Sequence, residues 1–265
     1  LCLQFALVKI VGLSCCLPLP NAYLYTKQYT MKRLLVASTS TVHGKPYLSY
    51  LLPELAGFFK KGSTLLFIPY ARPGGICYEA YTSLVQKAFK NLDIDVKGIH
   101  QYDDPVAAVE AAAGIFVGGG NTFLLVNELY KQSLMPVIRQ AVDTGTPYLG
   151  TSAGSNIAGI TMQTTNDMPI VYPPSFDTLG LLPFNLNPHY LDPDPTSTHM
   201  GETRETRILE YHQVQSTPVL GLREGSWLAV CGADIQLKGS LSARLFRQGV
   251  APVELSPETD LASFV

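Results

Sequence analysis

From residue 33 onward, short apolar runs alternate with stretches whose apolar residues recur every three to four positions, the pattern of parallel strands joined by crossover helices. Runs at 33–38, 64–69, 95–99, 114–117 and 147–150 are predicted strands. Between the second and third, Tyr81, Leu84, Val85, Ala88, Phe89 and Leu92 fall on one face of an amphipathic helix. Weaker helical patterns cover 46–60, 105–112, 122–131 and 135–144. After residue 160 the texture changes to Pro-rich loops, one helix near 203–212, and short runs at 219–222, 227–230, 234–238 and 243–247. Closely spaced turn residues between those runs predict antiparallel hairpins covering one edge of the sheet. The expected fold is α/β: a mostly parallel, doubly wound sheet with helices on both faces and C-terminal antiparallel hairpins.

The 265 residues, 46% hydrophobic and 15% charged, suffice for one such domain with a sizeable core. Met31-Lys32-Arg33 runs straight into the first strand, so the domain is expected over 31–265. Residues 1–30 are then a leader, a cloning remnant or translated non-coding sequence. Their apolar start resembles a signal peptide, but it has no basic opening and carries Lys9 in its middle. It is also short for a membrane span. With 19 basic and 21 acidic residues, a net charge of −2, the chain has no continuous basic face for a phosphate backbone. Neither nucleic acid nor membrane is an expected partner. Five cysteines, at 2, 15, 16, 77 and 231, form no C-x-x-C pair and read as reduced thiols, which favours the cytoplasm.

The strongest local signal for chemistry is Gly150-Thr151-Ser152-Ala153-Gly154, which follows the strand at 147–150. It fits a G-x-S-x-G elbow, where small flanking residues let a sharp turn present the serine hydroxyl and leave adjacent N–H groups for an oxyanion. A glycine-rich turn with an incidental serine is the plainer alternative. Gly118-Gly119-Gly120-Asn121 ends another strand and opens a helix, so in a parallel sheet both loops lie at the carboxyl edge. Gly119 or Gly120 could then supply an oxyanion donor beside the Ala153 N–H. No nucleotide-phosphate motif aligns with either loop.

A serine nucleophile needs a base, and the chain has five histidines. His189 follows Asn187-Pro188 at a proline-stiffened strand end, where an imidazole can be held rigidly; His212 sits on a helix surface and His100 at a strand end. The orienting carboxylate is Asp167, in Asn166-Asp167-Met168-Pro169, or Glu224, in Glu224-Gly225-Ser226-Trp227. His189, Asp192, Asp194 and His199 form a loose cluster in a proline-broken loop that matches no metal-ligand spacing, so neither metal nor cofactor is expected.

Together, Val117-Gly118-Gly119-Gly120-Asn121-Thr122-Phe123, Ser152-Ala153-Gly154, the run from Thr164 to Val171, Asn187-Pro188-His189, Gly201-Glu202-Thr203-Arg204-Glu205 and Glu224-Gly225-Ser226-Trp227 resemble peptidase E. These α-aspartyl dipeptidases are serine peptidases related in fold to class I glutamine amidotransferases, and the segments occur in the family's order over about residues 31–250. The resemblance implies hydrolysis of dipeptides with an N-terminal aspartate, Ser152 as nucleophile and His189 as general base. It leaves Asp167 and Glu224 both standing, with a lean to Glu224 on the imidazole and Asp167 shaping the site or holding the substrate's amino group. For the substrate's β-carboxylate it points to Arg204, with Arg207 in reserve and a surface pair of Arg204 with Glu202 or Glu205 as the plain alternative. Asn121 is a further substrate-binding candidate. The implied partners are small acidic dipeptides, met by a monomer or homodimer. Two rivals share the fold: a hydrolase of another aspartyl compound, such as a cyanophycin-like β-linked peptide, and a catalytically silent binding protein.

Overall fold

The computed structural model describes residues 32–261 except 195, 197 and 199, so the expectation for residues 1–30 and the position of His199 lie outside the described residues. Five parallel strands form the centre: β1 (Arg33–Ala37), β2 (Thr64–Ile68), β3 (Asp95–Gly98), β4 (Ile115–Val117) and β5 (Tyr148–Thr151). Their spatial order is β3-β2-β4-β5-β1, all pairs parallel. Strands β4 and β5 are buried throughout, which is why they read as unbroken apolar runs rather than as alternation.

From β1 the chain steps outward to β2 and β3 through α1 (Leu52–Phe58) and α2 (Tyr78–Phe89). It then returns inward to β4 and β5 through α3 (Pro105–Glu110), α4 (Thr122–Lys131) and α5 (Leu134–Asp143). Crossovers are right-handed, so the reversal of direction puts the second set of helices on the opposite face. The core divides accordingly. Leu35, Phe67, Phe116 and Leu149 pack with Leu55, Tyr81, Val85 and Phe89 on one side. Leu34, Ile68, Val117 and Tyr148 pack with Val109, Leu125, Ile138 and Val142 on the other.

Two expectations need correction. The helix expected over 46–60 shrinks to α1, because Pro53 suits only a helix's first turn and Leu48 adopts a left-handed φ of 57°. The C-terminal runs also do not all cover one edge. The hairpin of β8 (Ser226–Cys231) and β9 (Asp234–Gly239) extends the central sheet antiparallel to β1. By contrast β7 (Val219–Leu222) and β10 (Ala243–Arg247) leave for a second sheet with β6 (Asn185–Pro188) and β11 (Val250–Leu255), in the order β11-β10-β7-β6. Strands β6 and β7 run parallel, so they cannot be a hairpin. One further helix, α7 (Arg204–Tyr211), is capped by the Thr203 side chain, and the single turn α6 (Ala153–Asn156) follows β5 directly.

Candidate active site

Ser152 stands between β5 and α6 with φ 54° and ψ −110°, a conformation that costs a non-glycine residue on the order of 1–3 kcal/mol. The neighbours over-determine it. The Ser152 N–H donates to the Ala37 carbonyl at 3.1 Å, and the Ser155 hydroxyl donates to the same oxygen at 2.6 Å. The Tyr148 hydroxyl donates to the Gly154 carbonyl, and any Cβ on Gly154 would run into the Val117 backbone. Small residues at this elbow are therefore a steric requirement, as the motif implied.

The imidazole reaches Ser152 from the other sheet. His189 follows β6 with φ 55°, and its N–H donates to the Ser38 hydroxyl at 2.9 Å. That hydroxyl itself donates to the Leu222 carbonyl at 2.6 Å, so Ser38, just past β1, bolts the first sheet to the second. The His189 Nε2 lies 2.9 Å from Ser152 Oγ, and Nδ1 lies 2.6 Å from Glu224 Oε1. A carboxylate has no proton to give, so Nδ1 carries the hydrogen and Nε2 accepts from the serine. Glu224 comes within reach because β6 and β7 pair in parallel with Pro188 beside Leu222.

Of the two acids left open by sequence, only Glu224 meets the imidazole. Asp167 lies in the same cleft, where its Oδ2 accepts from the Thr122 N–H at 2.7 Å, the Thr122 hydroxyl at 2.6 Å and the Thr165 hydroxyl at 3.0 Å. Asn121 is occupied too: its Oδ1 caps α4 through the Leu124 N–H, and its amide donates to the Met168 carbonyl. Between the two glycines proposed as oxyanion donors the structure discriminates. The Gly119 N–H already donates to the buried Tyr81 hydroxyl at 3.0 Å. Among the described residues the N–H groups of Gly120 and Ala153 have no partner.

Arg204 opens α7, half buried. Glu202 instead pairs with Arg207 at 3.8 Å and Glu205 with Arg244 at 3.1 Å, which leaves Arg204 without an ion pair among the described residues. Burial, together with the charge of Arg207, lowers its pKa, while the negative charge of Asp167 pulls the other way. Thr122, Ser152, Asn156, Thr165, Asp167 and His189 line a small cleft. A larger concavity, along α2 and β3 with Lys87, Lys90 and Lys97, shares no residue with it. Ser38, Tyr81, Thr122 and Thr165 were not foreseen. Only Thr122 and Thr165 carried any signal, by flanking the glycine loop and Asp167. Among the described residues no group of histidines, cysteines and carboxylates has a metal-binding arrangement, and no helix is long and apolar enough to cross a membrane.

A serine on an elbow, within hydrogen-bond reach of an imidazole oriented by a carboxylate, is suited to acyl transfer, and similarity points the same way. The model of peptidase family S51 matches residues 34–238. Peptidase E of Streptomyces coelicolor is 50% identical over 232 residues, which cover 88% of this chain and 94% of that protein. A Drosophila melanogaster protein named probable alpha-aspartyl dipeptidase is 44% identical over 233 residues, 87% of this chain and 96% of its own. The crystal structure of a peptidase from an acI-B1 Actinobacterium has the same fold, with TM-score 0.62 at 18% identity over 89% of this chain and 99% of that one. A family model spanning most of the chain, and relatives this similar over nearly their whole lengths, establish that the chain belongs to peptidase family S51.

Proposed function

We propose that this peptidase hydrolyses dipeptides with an N-terminal aspartate through an acyl-enzyme. The observation that carries the chemistry is the relay of Ser152, His189 and Glu224, joined at 2.9 and 2.6 Å. Ser152 Oγ attacks the scissile carbonyl carbon as His189 Nε2 takes its proton, and Glu224 stabilises the imidazolium. The Ala153 and Gly120 N–H groups receive the oxyanion. The C–N bond then breaks, the proton passes to the departing amine, and a water deprotonated by His189 releases aspartate.

The choice of aspartate is supported by charge. An N-terminal aspartyl residue carries an ammonium and a β-carboxylate a few ångströms apart. Asp167 and Arg204, which attract each other electrostatically, offer the complementary pair. A guanidinium gives a carboxylate two parallel donors, and among the described residues Arg204 has no ion pair that would occupy them. The name of the Drosophila relative fits this selectivity. The test is a panel of dipeptides varied at the first residue, run beside covalent labelling of Ser152 with a fluorophosphonate. Cleavage of Asp-Leu well above Asn-Leu and Glu-Leu, with labelling at Ser152, is the expected result. Equal rates on Asp-Leu and Asn-Leu would remove the aspartyl assignment, and a protein that neither cleaves nor labels would be no hydrolase.

A further inference from the structure

The residue before Glu224 faces the other way and is more deeply built in than its partner. Arg223 donates from Nε and Nη2 to both oxygens of Asp192, at 2.8 and 2.6 Å. Its Nη1 donates to the Ser242 carbonyl at 2.8 Å and the Ser242 hydroxyl at 3.0 Å, and both terminal nitrogens reach Glu254 at 3.0 Å. The guanidinium stacks 5.4 Å from the centre of the Tyr190 ring. All three nitrogens of the fork are engaged, which leaves Arg223 no spare donor with which to draw Glu224 away from the imidazole.

The partners are placed where the active site needs rigidity. Asp192 lies three residues after His189, whose turn is otherwise tied to β7 by the Tyr190 N–H donating to the Leu222 carbonyl at 3.1 Å. Ser242 directly precedes β10 and Glu254 lies within β11. One side chain thus joins the ends of all four strands of the second sheet, while its own side chain is only 14% exposed.

We propose that Arg223 is a positioning residue of the hydrolytic site: by gripping Asp192 it holds the turn after His189 against the turn that carries Glu224, and so keeps imidazole and carboxylate in register. The proposal rests on the hydrolytic reading above. Misplacing a catalytic group by an ångström costs up to about 100-fold in rate.

The experiment compares the parent, Arg223→Gln, Glu224→Gln and the double variant on Asp-Leu. Arg223→Gln is expected to lower kcat roughly 10- to 100-fold with little change in KM. In the Glu224→Gln background the same substitution should cost no more than about twofold, since a residue acting through Glu224 has nothing left to act on. A folded Arg223→Gln with parental kcat would overturn the proposal, and so would fully additive losses. Should that variant fail to fold, Asp192→Asn removes the fork's main partner and carries the same expectations. If the parent neither cleaves nor labels, the hydrolytic reading alone fails. The low-field proton resonance of the His189 Nδ1–H then decides without substrate: its loss in the Arg223→Gln or Asp192→Asn protein supports positioning, and its persistence unchanged refutes it.

Discussion

At the residue scale, the proposed mechanism makes Ser152 and His189, 2.9 Å apart, a single unit in which either one alone is of little use. Ser152→Ala and His189→Ala should therefore each remove nearly all turnover, on the order of 10⁴-fold or more, and the double variant should be scarcely worse than either. Steady-state kinetics on purified protein with parental far-UV circular dichroism checks this. Arg204 tests selectivity separately. An unpaired guanidinium facing a neutral amide is strongly unfavourable, so Arg204→Met should reduce kcat/KM for Asp-Leu steeply while narrowing its lead over Asn-Leu. An unchanged ratio would move suspicion to Arg207. The serine and the histidine were legible because each sits in a short motif whose shape is local: an elbow of small residues, and a proline-stiffened strand end. The choice between Asp167 and Glu224 was not, because His189 and Glu224 are 35 residues apart and meet only through the parallel pairing of β6 with β7. Periodicity reveals strands but not their partners. The engagement of Gly119 by Tyr81, 38 residues earlier, was hidden for the same reason.

At the element scale, the first half of the chain was readable because buried parallel strands and amphipathic helices leave unmistakable runs and faces. The second sheet was harder. The same turn-separated runs fit a hairpin or a crossover equally well. Ser38 carries the joint between the sheets, so Ser38→Ala removes the acceptor of the His189 N–H and one of the two donors to the buried Leu222 carbonyl, which keeps the Tyr190 N–H. A loss of about 1–3 kcal/mol is expected, measurable by urea unfolding, together with reduced kcat. Acid should loosen the second sheet in a defined way. The hydrogen bonds from Arg223 hold the Asp192 carboxyl below its ordinary pKa. The folded state therefore binds that proton less readily than the unfolded chain. Its stabilising contribution is complete above the ordinary carboxylate pKa and disappears as pH falls through the depressed one. Thermal melts of parent and Asp192→Asn should start apart at about pH 6 and draw together as the pH falls below the ordinary carboxylate range.

At the scale of the whole molecule, the parallel, helix-covered sheet followed from the pattern, whereas the division into two sheets did not. That division has a consequence for the intact enzyme. The proposed nucleophile rides on the seven-stranded sheet and the proposed base with its carboxylate on the four-stranded one, so separation of the layers should silence the enzyme before either layer melts. In a urea titration, hydrolysis of Asp-Leu should fall at lower denaturant than the far-UV signal, and coincident curves would speak against this. Synthesis runs into the same arrangement. When Ser152 leaves the ribosome, His189 is still 37 residues away and Glu224 further still. On the proposed mechanism the nascent chain carries its nucleophile before the groups that activate it have emerged, so hydrolytic competence should follow only once its last third has docked, a safeguard provided by strand order.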